Sequence, residues 1–134
     1  MGKEIIETST ASFWLNDEGI IQAVIKKDAK LILKDAVENV EIMERIGSPP
    51  RLLFVDIRLV KSVTKELRDY FASKEVSQIL PVRAILVGSP VAKIMGDMFL
   101  RVMDPAFEAK IFIEESAAME WLRSYSTNSP YLKK

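Results

Sequence analysis

The strongest periodic signal in the chain lies between Val91 and Val102. Val91, Ile94, Met95, Met98, Phe99 and Val102 recur at i, i+3, i+4, i+7, i+8 and i+11, the spacing that places side chains on one stripe of an α-helix. Ser89 is a natural N-cap and Pro90 suits the first helical position, while Asp104-Pro105 breaks the helix. Just upstream, Ala84 to Val87 is apolar without a polar break, the pattern of a strand covered on both faces. Together these segments predict a buried strand feeding a packed helix.

The same reading extends along the chain. Ile5 to Leu15 mixes β-branched, aromatic and short polar residues, as a partly exposed strand does. Asn16-Asp17-Glu18-Gly19 is turn chemistry, and Ile20 to Lys26 resumes as a second strand, predicting an antiparallel hairpin. A first helix opens at Asp28 or Lys30, with Leu33, Ala36, Val37, Val40 and Met43 inward and Gly47 as its stop; Ile42 falls near the opposite side. Pro49-Pro50 leads into Leu52-Leu53-Phe54-Val55, a second continuous apolar strand ending in Asp56-Ile57-Arg58. Thr64 caps the next helix, whose inward side is Leu67, Tyr70, Phe71 and the stem of Lys74. Lys110 to Ile113 forms the last strand, and Ser116 to Tyr125 the last helix, with Ala118, Trp121, Leu122 and Tyr125 on one face. The order ββαβαβαβα implies an α/β fold whose mixed, mostly parallel sheet has about five strands and about four helices. With no repeat, linker or low-complexity tract, residues 1–134 are expected to form one domain, with 126–134 as a flexible tail.

Composition narrows the chemistry. The chain has 19 basic and 19 acidic residues and no net charge, so no global field draws it to nucleic acid or to an anionic membrane. It has no cysteine, which excludes disulfides, thiolate nucleophiles and Cys-based zinc sites. It has no histidine either, which removes the commonest general base and metal ligand near neutral pH. No catalytic motif and no cofactor-binding motif is present, so a non-enzymatic role and no cofactor are expected. No apolar run reaches the ~20 residues of a membrane span and no leader-like segment is seen, so a cytoplasmic protein is expected, peripheral to the membrane only in the alternative reading below.

Several segments resemble the SpoIIAA-like (STAS/CRAL-TRIO-like) family of small, largely uncharacterised bacterial proteins. The matching pieces are Leu15-Asn16-Asp17-Glu18-Gly19-Ile20, Phe54-Val55-Asp56-Ile57-Arg58 and Val60-Lys61-Ser62-Val63-Thr64. Leu86-Val87-Gly88-Ser89-Pro90-Val91, Gly96-Asp97-Met98-Phe99-Leu100 and Ala118-Met119-Glu120-Trp121-Leu122 after Phe112 are the strongest. The resemblance runs from Phe13 to Tyr125 and rests on the order and spacing of these pieces. It implies a single SpoIIAA-like domain without an established activity. Better-known relatives are anti-sigma factor antagonists switched by a phosphorylated serine at a helix start; the resemblance places Lys65 or Glu66 at that position, with Ser62 and Thr64 out of register. CRAL-TRIO relatives share the broad fold and carry lipid in an apolar cavity.

Three groups of residues are candidates for function. Asp56 and Arg58, at the carboxyl end of a buried strand, and Ser89, at a helix N-terminus, sit where open α/β sheets place polar or anionic ligands; turn capping accounts for the same residues. Ser62 and Thr64 are candidate phosphate acceptors, and capping alone accounts for Thr64. Ile94, Met95, Met98, Phe99, Leu100 and Met103 are the candidate partner or ligand surface, with adaptable Met side chains and Gly96 permitting close approach; an ordinary core stripe is the plainer account. The expected role is a non-catalytic regulatory or protein-interaction module of the STAS type, acting through a protein partner or self-association. The alternative is a binder of an apolar, lipid-like small molecule that touches membranes through the 91–103 helix.

Overall fold

The structure, a computed structural model, describes residues 4–128. The hairpin forms as its turn chemistry dictates. Strands β1 (Ile6–Glu7), β2 (Ala11–Leu15) and β3 (Ile21–Ile25) are antiparallel. Between β2 and β3, Asn16 Oδ1 accepts from the amides of Glu18 and Ile20, each at 2.9 Å, and Gly19 takes φ 78°.

From β3 onward the chain steps one way across the sheet. Strand β4 (Lys30–Leu31) and helix α1 (Leu33–Ile46) precede β5 (Leu52–Asp56). Then come β6 (Ser62–Val63), α2 (Lys65–Phe71), α3 (Lys74–Ile79) and β7 (Val82–Leu86). Helix α4 (Pro90–Met103), β8 (Glu108–Phe112) and α5 (Glu115–Asn128) complete the described chain. The main sheet runs β1-β2-β3-β5-β7-β8, its last four strands parallel.

Register assigns the two faces. Leu53, Arg83 and Ala109 lie abreast, as do Val55, Ile85 and Ile111, so these residues share one face by strand alternation. That face meets the helices of the crossovers: Leu53 and Val55 pack with α1, α2 and α3, and Ile111 lies under Gly96 of α4. On the other face Leu52, Phe54, Val82, Ala84, Leu86 and Phe112 are covered by Ala118, Met119 and Leu122 of α5. Two hydrophobic layers therefore enclose the sheet, each supplied by alternate residues of the same strands.

The class is the α/β fold that the pattern predicts, with more elements than expected. Lys30–Leu31 is not the start of a helix; it pairs in parallel with Ser62–Val63 as a separate two-stranded sheet. Asp28, in the left-handed region at φ 63°, turns the chain into it. Helix α1 begins at Leu33, with Asp35 Oδ2 accepting from the Ile32 amide. Its buried arc is rotated from expectation: Ile42 is buried, whereas Leu33 and Val37 are exposed. The cause is that α1 packs against α2 as well as the sheet. The single helix expected after Thr64 is two, because Ser73 Oγ caps a new start by accepting from Val76 N. Of the tail expected at 126–134, residues 126–128 continue α5, and the rest lies outside the described residues.

Candidate functional site

Helix α4 forms where the stripe predicts it. Ser89 Oγ accepts from Ala92 N at 3.1 Å, Pro90 opens the first turn, and Asp104 closes the helix at φ 49° with its amide donating to Leu100 O. Lys93 and Asp97 form an i,i+4 ion pair of 2.7 Å.

The orientation of the helix reverses the expected packing. Val91, Ile94, Met95, Met98, Phe99 and Val102 do not face the core; they are 66, 62, 65, 55, 47 and 82% exposed. The inward side is made instead of Ala92, Gly96, Leu100 and Met103, none of them fully buried. Thus Leu100 and Met103, expected beyond an inward-facing stripe, lie instead on the half-buried side toward the body of the protein. The reason lies in β8. It is the outermost strand, and on this face it offers Ile111, over which a Cβ on Gly96 would come within 3.2 Å of two side-chain carbons. Gly96 lets the helix sit close to that narrow edge, and the large apolar side chains of the stripe are left pointing outward. An open groove of about 390 Å³ lies beneath the C-terminal half of α4, between Leu100, Arg101, Asp104, Phe107 and Lys110.

The carboxyl ends of β5 and β7 bring the second candidate group together. A Cβ on Gly88 would lie 3.5 Å from Arg58 O, so the Asp56–Arg58 loop borders the start of α4. Each polar group there has a partner. Asp56, buried, takes the Arg58 guanidinium through both oxygens at 3.0 and 2.8 Å and also accepts from Arg58 N. These hydrogen bonds and the carboxylate charge hold the Arg58 pKa above its ordinary value. Ser89 is committed to its cap. Thr64 Oγ1 accepts from Leu67 N at the head of α2, and Ser62 stands exposed on β6. Asp56 and Arg58 thus meet as a pair and Ser89 lies close by, while Ser62 and Thr64 belong to a different edge built around the small sheet.

Among the buried polar residues that the sequence reading did not single out, Arg83 is the charged one. Arg83, 5% exposed, donates to the carbonyls of Phe71 at 2.7 Å, Leu80 at 2.8 Å and Val76 at 3.3 Å. Its guanidinium carbon lies 3.7 Å from the ring centre of Phe107, and no carboxylate pairs with it among the described residues. Burial pushes its pKa down to about 9. The signal was a lone arginine inside Val82-Arg83-Ala84-Ile85-Leu86, an otherwise apolar strand. Among the described residues no cluster of three acidic side chains is placed to hold a metal ion, and no helix is long and apolar enough to cross a membrane.

Residues 13–126 match a domain of unknown function, DUF7793. The chain belongs to the DUF7793 family. Among solved structures, it is similar to an uncharacterised DUF3478-family protein with a SpoIIAA-like fold from Shewanella loihica PV-4. The two share 14% identity with a TM-score of 0.59, over 90% of this chain and 92% of the other. This DUF7793 member therefore has the SpoIIAA-like fold that its sequence resembles. No curated protein matches it.

Proposed function

We propose that this DUF7793 protein is a non-catalytic regulatory module of the STAS type that works by docking a protein partner on the outer face of α4. The observation that carries this reading is the exposed stripe. Six adjoining large apolar side chains, each 47–82% exposed, form a patch on the order of 500 Å², the size of the largest apolar patch on an ordinary monomer, which is often functional. The rest of the candidate chemistry supports it by being occupied elsewhere. Asp56 neutralises Arg58, and Ser89 and Thr64 satisfy helix amides, so these groups build the scaffold instead of converging on a substrate. Docking by packing requires no titratable group, which suits a chain without histidine or cysteine.

Native mass spectrometry of the protein purified without delipidation tests the reading. The expected result is a non-covalent protein assembly that is lost in Met98→Glu. A releasable small molecule on the wild-type chain, absent from that variant, would replace it with the reading of an apolar-ligand binder.

A further inference from the structure

We infer that the occupant of the α4 face is a second copy of the same chain, packed antiparallel across a two-fold axis; this assignment rests on the reading of that face as a docking surface. An isologous interface needs a patch that is complementary to itself, with residue i meeting j and j meeting i. The stripe has that property. A two-fold axis running between the two helices, level with the Gly96–Asp97 bond, sets Val91 opposite Val102, Ile94 opposite Phe99, and Met95 opposite Met98 of the second copy. Valines meet valines at the ends, methionines meet methionines at the centre, and the one aromatic ring meets a branched aliphatic chain. The match is in kind as well as position, and no charged side chain interrupts it.

Area and charge agree. Side chains of these types at these exposures cover on the order of 500 Å² per protomer. Pairing two copies then removes on the order of 1,000 Å² from water, where specific interfaces begin. The charged residues of the helix lie outside the stripe: Lys93 and Asp97 neutralise one another at 2.7 Å, leaving Arg101. That is little attraction for a lipid headgroup layer, whose surface helices are rich in lysine and arginine. It leaves the helix free of repulsion against its own copy.

Sedimentation velocity over a micromolar concentration series reads the association, and Met98→Glu tests its location. The wild-type chain is expected to form dimers, and Met98→Glu to weaken them at least ~10-fold with an unchanged circular dichroism spectrum. The chain has no cysteine, so single substitutions report the geometry. Mixed Met95→Cys and Met98→Cys proteins should give the mixed disulfide in excess over either symmetric one. Symmetric disulfides in excess would overturn the antiparallel pairing. A wild-type monomer that stays off phosphatidylcholine vesicles in flotation would overturn the second copy alone and leave α4 as the face for a different protein. A wild-type monomer that floats with those vesicles, and ceases to in Met98→Glu, would overturn both the second copy and the protein-docking reading.

Discussion

The guanidinium of Arg83 stacks on the ring of Phe107 at 3.7 Å while donating to three main-chain carbonyls. The carbonyls belong to the C-terminal turns of α2 and α3, where carbonyls with spare acceptor capacity and the helix dipole both favour a cation; that of Val76 also accepts from Leu80 N. The ring comes from the segment leading into β8. One buried side chain therefore ties two short helices and the approach to the outermost strand. A cation without an ion-pair partner is tolerable here because the carbonyls and ring together replace its water.

Arg83→Lys should accordingly lower stability by about 2–4 kcal/mol, since one ammonium cannot reproduce a planar fork reaching three acceptors and a ring face. Urea denaturation is the measurement. A loss below about 1 kcal/mol would show that the carbonyls find other donors.

Two substitutions on α4 should separate its sides. Met98→Glu, on the outer stripe, is expected to shift monomer stability by no more than about 0.5 kcal/mol. Leu100→Glu, on the half-buried side, should cost about 1–3 kcal/mol because its carboxylate loses water without gaining a partner. Thermal unfolding at protein concentrations too low for association compares them, and equal losses would place the stripe inward.

Gly96→Leu should lift α4 from the sheet. Even a Cβ at this position comes within 3.2 Å of Cδ1 and Cγ1 of buried Ile111, so a larger side chain overpacks the contact at a cost of about 1–3 kcal/mol. Hydrogen exchange should accelerate in α4 with little change in the amides of β5 and β7. Uniform acceleration would mean that α4 and the sheet unfold as one unit.

Trp121→Ala tests the docking of α5. Trp121 is half-buried, with its ring 5.8 Å from Phe112 and 5.0 Å edge-on from Tyr125. The expected loss is about 2–4 kcal/mol by chemical denaturation. A loss under about 1 kcal/mol would mean that Ala118 and Leu122 hold the helix without the aromatic cluster.

The features legible in the sequence were those whose cause is local. Asn16 and Gly19 specify their turn, the apolar runs at Leu52 and Ala84 specify buried strands, and Ser89, Thr64 and Pro90 specify helix starts. The pairing of Lys30–Leu31 with Ser62–Val63 was hidden because two residues carry no period and their partner is distant in sequence. Ser73 gave too weak a signal to divide α2 from α3. Periodicity placed Val91 to Val102 on one stripe, but a period has no sign. Which way the stripe faces depends on α4 being the last crossover, beside an outermost strand that offers it little apolar surface. Of the residues proposed as a surface, Ile94, Met95, Met98 and Phe99 are thus exposed, and Leu100 and Met103 lie on the half-buried side.

The outward stripe also separates two kinds of selection. None of its six side chains is needed to fill the interior, so their identities are free to drift without unfolding the domain. Gly96 and Ile111, which seat the helix, carry the opposite constraint. Under the docking role proposed for this face, a handful of substitutions on a single turn-after-turn strip would change what it recognises, while the framework that displays them stays as it is.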